Sequence, residues 1–336
     1  MNSPIFADPV ALARTWAQAD QMARLLRKSE VERIVEQPLG ISASVPRIFF
    51  VDSTRTDAAS TNSGLEPDRP FATIMQAIGA CESGRGDIIM LAPGHSETVI
   101  AAAGVTVNKT GVTVLGMGNG ALRPTFNFTT AVGASFDITA AGFTLENCLF
   151  LGGIDALTGI INVQAADARL LNFETRDVTG QMTDCIVTTA AADRLRVSGW
   201  RHNGASAAGG AEAIKIVGGD GIVIEDFDIF GNFSVAAIQN VTTACTNLRI
   251  GGGRNQNFIQ NGLDNAAVVA VTLVSTSTGH VGPNIHCRIG VDATSNTTNI
   301  TEAFVGAAMQ FYQPLNIANL GGEVAMQSNI TAATDA

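Results

Sequence analysis

Short apolar stretches with small or polar flanks recur from about residue 111 onward. Aligned as GVTVLG, GFTLEN, ARLLNF, DRLRVS, GIVIED, TNLRIG and PNIHCR, they centre on Val114, Leu145, Leu170, Leu195, Ile224, Leu248 and Ile285. Successive steps are 31, 25, 25, 29, 24 and 37 residues. A repeat of this length built from strand-like alternation predicts a solenoid with one coil per repeat. A second apolar strand precedes most of the centres, at Phe136–Ile138, Ile161–Val163, Ile186–Thr188, Ile214–Ile216 and Ile238–Val241. Between the two lie small-residue turns, TAAG, QAAD, TAAAD, VGGD and TTAC, which supply the residues that tight corners need. Coils stacked at strand spacing give a column about 30 to 35 Å tall for seven coils. No coil buries its own apolar face, so the stack folds as a unit. The 37-residue step predicts a longer excursion at Ala266–Val281.

The flanks follow different patterns. In residues 1–46, Asp8 before Pro9 reads as an N-cap with proline at the first helical position. The following stretch sets Leu12, Trp16, Leu25 and Leu26 among Arg14, Arg24, Arg27 and Lys28. A second short helix starts at Ser29, with Glu32 completing a capping box, and stops before Pro38. This predicts an amphipathic helical arm, packed on the end of the column or docked on a partner. Residues 302–336 break the repeat and read as a C-terminal cap or subunit contact; they contain Phe304, Phe311 and Tyr312.

Residues 47–100 run RIFFVDST, a Gly/Asp/Ser/Asn-rich loop, PDRPFATIMQAIGAC and GDIIMLAPGHSETV. Ile74 and Ile78 fall on one helix face, behind Pro70, Phe71 and Thr73 and alongside Ala77. This segment resembles the opening of the right-handed parallel β-helix of pectin-lyase-like proteins, in which such a helix plugs the first coil. The resemblance extends over about Ile48 to Gly290. It implies an all-β fold: a right-handed parallel β-helix of about seven coils spanning 47–301, with a capping helix near 70–82 and the helical arm before it. That fold hosts lyases, hydrolases, adhesins and structural proteins alike, so it does not fix the chemistry.

Composition narrows the partners. The chain is 46% hydrophobic and 15% charged, too apolar for a disordered chain. Its net charge of −10 disfavours nucleic acid and anionic membrane surfaces as partners. The longest apolar run, Ala266–Val274, is far short of a membrane span. The start MNSPIFADPV lacks the regions of a signal peptide, which leads to the expectation of maturation in a cytoplasm. Five cysteines, Cys81, Cys148, Cys185, Cys245 and Cys287, have no close pair and read as reduced core-fillers.

Candidate chemistry is sparse. With Phe227 pointing inward, Asp226 and Asp228 would share an outward face, in the manner of an acid–base or cation-binding pair. Asp177, Asp184 and Asp193 lie on neighbouring coils, and Arg194, Arg196 or Arg201 is the base a lyase would need. The competing reading is solvated strand and turn acids. His95, His202, His280 and His286 are scattered without zinc spacing, and His95 in PGHSET reads as structural. Gly116–Gly120 and Gly251–Gly253 read as solenoid turns, not phosphate loops. The Asn127 and Asn299 sequons read as inter-coil Asn/Thr stacking. Two tryptophans, Trp16 and Trp200, and one tyrosine are few for a sugar groove. Phe126, Phe128, Phe136, Phe143 and Phe150 fit core stacking. No catalytic, cofactor-binding or metal residue is assigned, and no cofactor is expected.

Low-aromatic, Ala/Thr/Asn-rich coils behind that opening motif and helical arm resemble β-helical virion proteins of tailed bacteriophages. The resemblance implies a homotrimer in the virion, assembled in the host bacterial cytoplasm. Its role would be capsid decoration (cement), gripping the major capsid protein or another virion protein through the arm. The alternatives are a tailspike that binds or cleaves host surface polysaccharide, and a polysaccharide lyase-like enzyme.

Overall fold

A computed structural model describes residues 45–177, 182–204, 210–255, 257–261, 269–282 and 285–289. The chain divides into two units, Met1–Pro46 and Arg47–Ala336. The predicted arm, apart from its last two residues, and the predicted C-terminal cap lie outside the described residues.

The second unit is a parallel β-solenoid. Among the described residues its strands form three faces, a first of nine strands, a second of eight and a third of seven, with one short two-stranded pair besides, and every pairing joins one coil to the next in parallel. The first face stacks Phe49, Ile89, Val114, Leu145, Leu170, Val197, Ile224, Ile250 and Val281 in one inward row. From Val114 on, the steps are therefore 31, 25, 27, 27, 26 and 31 residues. This corrects the sequence alignment at three points. Leu195 and Leu248 each sit two residues before the true centre; a strand's period of two buries them as well, so alternation does not separate the two registers. Ile285 belongs to the second face. The 37-residue step disappears, and the stretch assigned to an excursion carries ordinary strands at Val269–Thr272 and Gly279–Val281. The other predicted strands hold their register: Phe136, Ile161, Ile186, Ile214 and Ile238 stack in the inward row of the third face.

Backbone handedness marks the corners of each first-face segment. Three residues before the row centre, Gly111, Gly142, Asp167, Arg194, Gly221 and Asn247 all have φ between 54° and 75°. Two residues after it, Asn147, Asn172, Gly199, Asp226 and Gly252 are left-handed too. Glycine, asparagine and aspartate tolerate this conformation best, which is why they dominate both positions. The Asn147 amide donates to the carbonyls of Gly116 and Gly118 on the coil below, and Asn172 donates to the Glu146 carboxylate.

The interior is a run of aromatic contacts. Phe126, Phe136 and Phe150 meet at centroid distances of 5.4 to 5.6 Å, and Phe150 leads on to Phe173. Phe173 and Trp200 then stack in parallel at 5.9 Å. The predicted phenylalanine stack is thus core, and Trp200 is buried with it. At the N-terminal end, helix α1 (Ile74–Ala80) packs on the opening strands of the first and third faces. Thr73 and Gln76 form its capping box, and Ile74, Ala77 and Ile78 are buried. Glu97 accepts the Ile74 N–H at 2.8 Å, so the first coil itself completes the cap. Among the described residues, no helix is long and apolar enough to cross a membrane.

Candidate functional site

The second face carries a groove that brings predicted site residues together. Register places Leu149, Glu174, Arg201, Asp228 and Phe258 in an outward row on consecutive coils. Two adjoining hollows of about 410 and 430 Å³ run along it, sharing Glu174, Arg201 and Asp228. Phe230 and the 43% exposed Phe258 give it apolar walls, and Asn172, Asp226 and Asn255 line its corner side.

Its charges are largely committed to one another. Glu174 receives Arg123 at 2.9 Å on one oxygen and Arg176 on the other. Arg201 faces Asp228 at 3.7 Å, both largely exposed, a pairing that contributes about 0 to 1 kcal/mol. Phe227 is buried as expected, but Asp226 and Asp228 do not form an outward pair on one strand. Asp226 is the left-handed corner residue, accepting the Asn255 N–H at 2.6 Å and approached by the Ser198 hydroxyl. Asp228 opens the next strand. A turn intervenes because each first-face segment ends on a corner after its second outward residue.

The remaining acids are spread around the column. Asp177 accepts from the Met182 amide, Asp184 lies on the third face, and Asp193 accepts the Asp220 N–H at a corner. Arg194 pairs with Asp167 and Arg196 with Glu225, so Arg201 is the predicted base that reaches the groove. His95 is fully buried; its Nδ1 accepts the Ser53 N–H and its Nε2 faces Glu97 at 3.5 Å, a structural post beneath α1. His280 sits outward on the first face beside Arg249, and the His286 side chain lies outside the described residues. Among the described residues, no three His, Cys, Asp or Glu side chains cluster to hold a metal. Gly116–Gly120 links the end of the strand Thr113–Gly116 to a 3-10 helix at Gly120–Leu122, and Gly251–Gly253 is a bend after the strand Leu248–Ile250. The Asn127 amide donates to Ser96 on the coil below, the inter-coil stacking expected of it, while Asn299 lies outside the described residues.

Two polar clusters were not assembled from the sequence. Inside the column, the Trp200 indole donates to the Thr175 hydroxyl at 3.0 Å, which in turn meets His202 Nδ1 at 2.9 Å. The hydroxyl accepts from Trp200 and still has one lone pair and one proton, so the direction of its bond to Nδ1 follows the His202 tautomer. Cys185 lies 3.4 Å from the same nitrogen. Burial pushes the His202 pKa down to about 3 and the Cys185 thiol well above its ordinary value. Cys81, Cys148 and Cys245 are buried and reduced too, with burial raising them to about 12, 12 and 11. Such thiols are poor nucleophiles. The second cluster is Asp184 with Glu212, on the third face. The inward position of Thr175 and His202 is legible only once the second-face register is known, because neither residue marks a core position by its type.

No family model matches the chain, and no curated protein matches it. Among solved structures, a rhamnogalacturonan lyase is similar at a TM-score of 0.43 and 13% identity, over 72% of this chain and 67% of that chain.

Proposed function

We propose that the protein is a structural column of a bacteriophage virion, a trimeric decoration protein that stiffens the shell and is anchored to the capsid protein by its N-terminal arm. The observation that carries this reading is the state of the groove's carboxylates. Glu174 is held by two arginines and Asp226 by its corner, while Asp228 only faces Arg201 at 3.7 Å. A general acid or base needs a carboxyl free to exchange a proton with substrate at the reacting atom. Here Glu174 and Asp226 join coils to one another instead, the work expected of a rigid spacer, and Asp228 is left with no second free carboxyl from this set to act with. The test is to locate the chain on purified particles and to compare the heat stability of particles with and without it. Shell positions and a lower particle melting temperature on removal are expected. A chain found at the tail alone contradicts the reading.

A second reading, a tailspike that binds host polysaccharide, is favoured by the exposed Phe258 beside Arg201 in a groove that runs along the stack. Under it, purified protein gives a halo on the host lawn, and Asp226→Asn with Asp228→Asn abolishes the halo if those acids cleave.

A further inference from the structure

Asp184 opens the third-face strand Asp184–Thr188, and Glu212 lies opposite it in the next strand, Gly210–Ile216. Both are nearly withdrawn from solvent, at 7% and 3% exposure. Asp184 Oδ1 and Glu212 Oε2 are buried without a hydrogen-bond partner. Lys215 stands 4.0 Å from Asp184, at the edge of ion-pair range. The flanking strands add no charge in register: Thr158 lies opposite Asp184 and Ala236 opposite Glu212. Of the titratable groups packed behind the pair, Cys185 is held as a thiol by burial and by Asp177 and Asp184, and His202 is held neutral. Two ionised carboxylates side by side in such a place repel and are poorly solvated, whereas one proton gives both orphan oxygens a partner.

We propose that Asp184 and Glu212 hold a single proton between them, forming a latch between two consecutive coils that alkali releases. Burial first, and then Asp184, pushes the Glu212 carboxyl up to about 8, with Lys215 opposing. The folded state therefore keeps a proton that the unfolded chain gives up near the ordinary carboxylate value. The latch contributes fully below about pH 4.5, and its contribution is lost as pH rises to about 8.

The experiment is urea unfolding of the full chain at pH 5 and pH 9, for wild type, Glu212→Gln and Asp184→Asn. The wild-type folding equilibrium constant should fall by roughly a hundredfold or more relative to the Glu212→Gln constant over that range, since each pH unit inside the window is tenfold. Glu212→Gln carries a permanent N–H donor toward Asp184 and should be the more stable protein at pH 9. Asp184→Asn removes the repulsion, so the fall should shift to lower pH or shrink. It also carries the test if the glutamine variant does not fold. His202 titrates in all three proteins and cancels. Parallel pH profiles for wild type and either variant overturn the latch.

Discussion

The buried His202 makes the protein acid-sensitive in a way that one substitution isolates. In the folded column its pKa is pushed down to about 3 by burial, against 6.5 for the ordinary side chain. Between those values the unfolded chain holds one more proton than the folded one, so stability falls as pH falls. At pH 4 the gap from 6.5 amounts to two and a half pH units, or about 3 kcal/mol lost relative to pH 7. Replacing His202 with Asn keeps an amide beside Thr175 that can donate or accept, and removes the titration. The variant is expected to be less stable at pH 7, because the smaller side chain leaves space beside Trp200 and Phe233. The informative quantity is the change with pH. Urea unfolding at pH 7 and pH 4 should show wild type losing about 3 kcal/mol more than the variant between the two conditions. Asp87, which against its burial Arg85 and two backbone N–H groups hold below the ordinary carboxylate value, stays ionised over this range, and the remaining carboxylates are common to both proteins. Equal losses would refute a buried, neutral His202.

Three further outcomes test the packing. Phe150→Ala, which removes a ring that meets Phe126, Phe136 and Phe173, should cost about 3 to 5 kcal/mol in urea unfolding. Gly142→Ala and Gly79→Ala should move stability in opposite directions. The first forces a side chain into a left-handed corner at φ 71° for about 1 kcal/mol, whereas the second adds helix propensity to α1 in open space and gains about 0.5 to 1 kcal/mol. Iodoacetamide at pH 8 with peptide mapping should leave Cys148 and Cys185 unlabelled in the native protein and label them in urea; native labelling of either contradicts their burial.

The first and third faces were legible because their inward residues are almost all aliphatic or phenylalanine, as at Val114, Leu145, Phe136 and Ile161. The opening helix was legible from Thr73, Ile74, Ala77 and Ile78, whose spacing has no other simple use. The second face was not. Its inward row passes from Phe150 to Thr175 and His202, while its outward row mixes Leu149, Glu174 and Arg201. Type therefore does not report direction there. That gap is also why the groove, which lies on this face, could not be assembled beforehand. The left-handed corners offered a sharper ruler than the apolar centres. Gly, Asn or Asp flanking an alternating segment five residues apart, as at Gly142 and Asn147 or Gly221 and Asp226, sets the register that Leu195 and Leu248 blurred.

The claim of a structural virion column is tested most directly by imaging purified particles with a label on this chain. The account predicts density for three copies at threefold positions of the shell, with particles melting at lower temperature once the chain is removed. Label confined to the tail, or particles that lack the chain altogether, would contradict it.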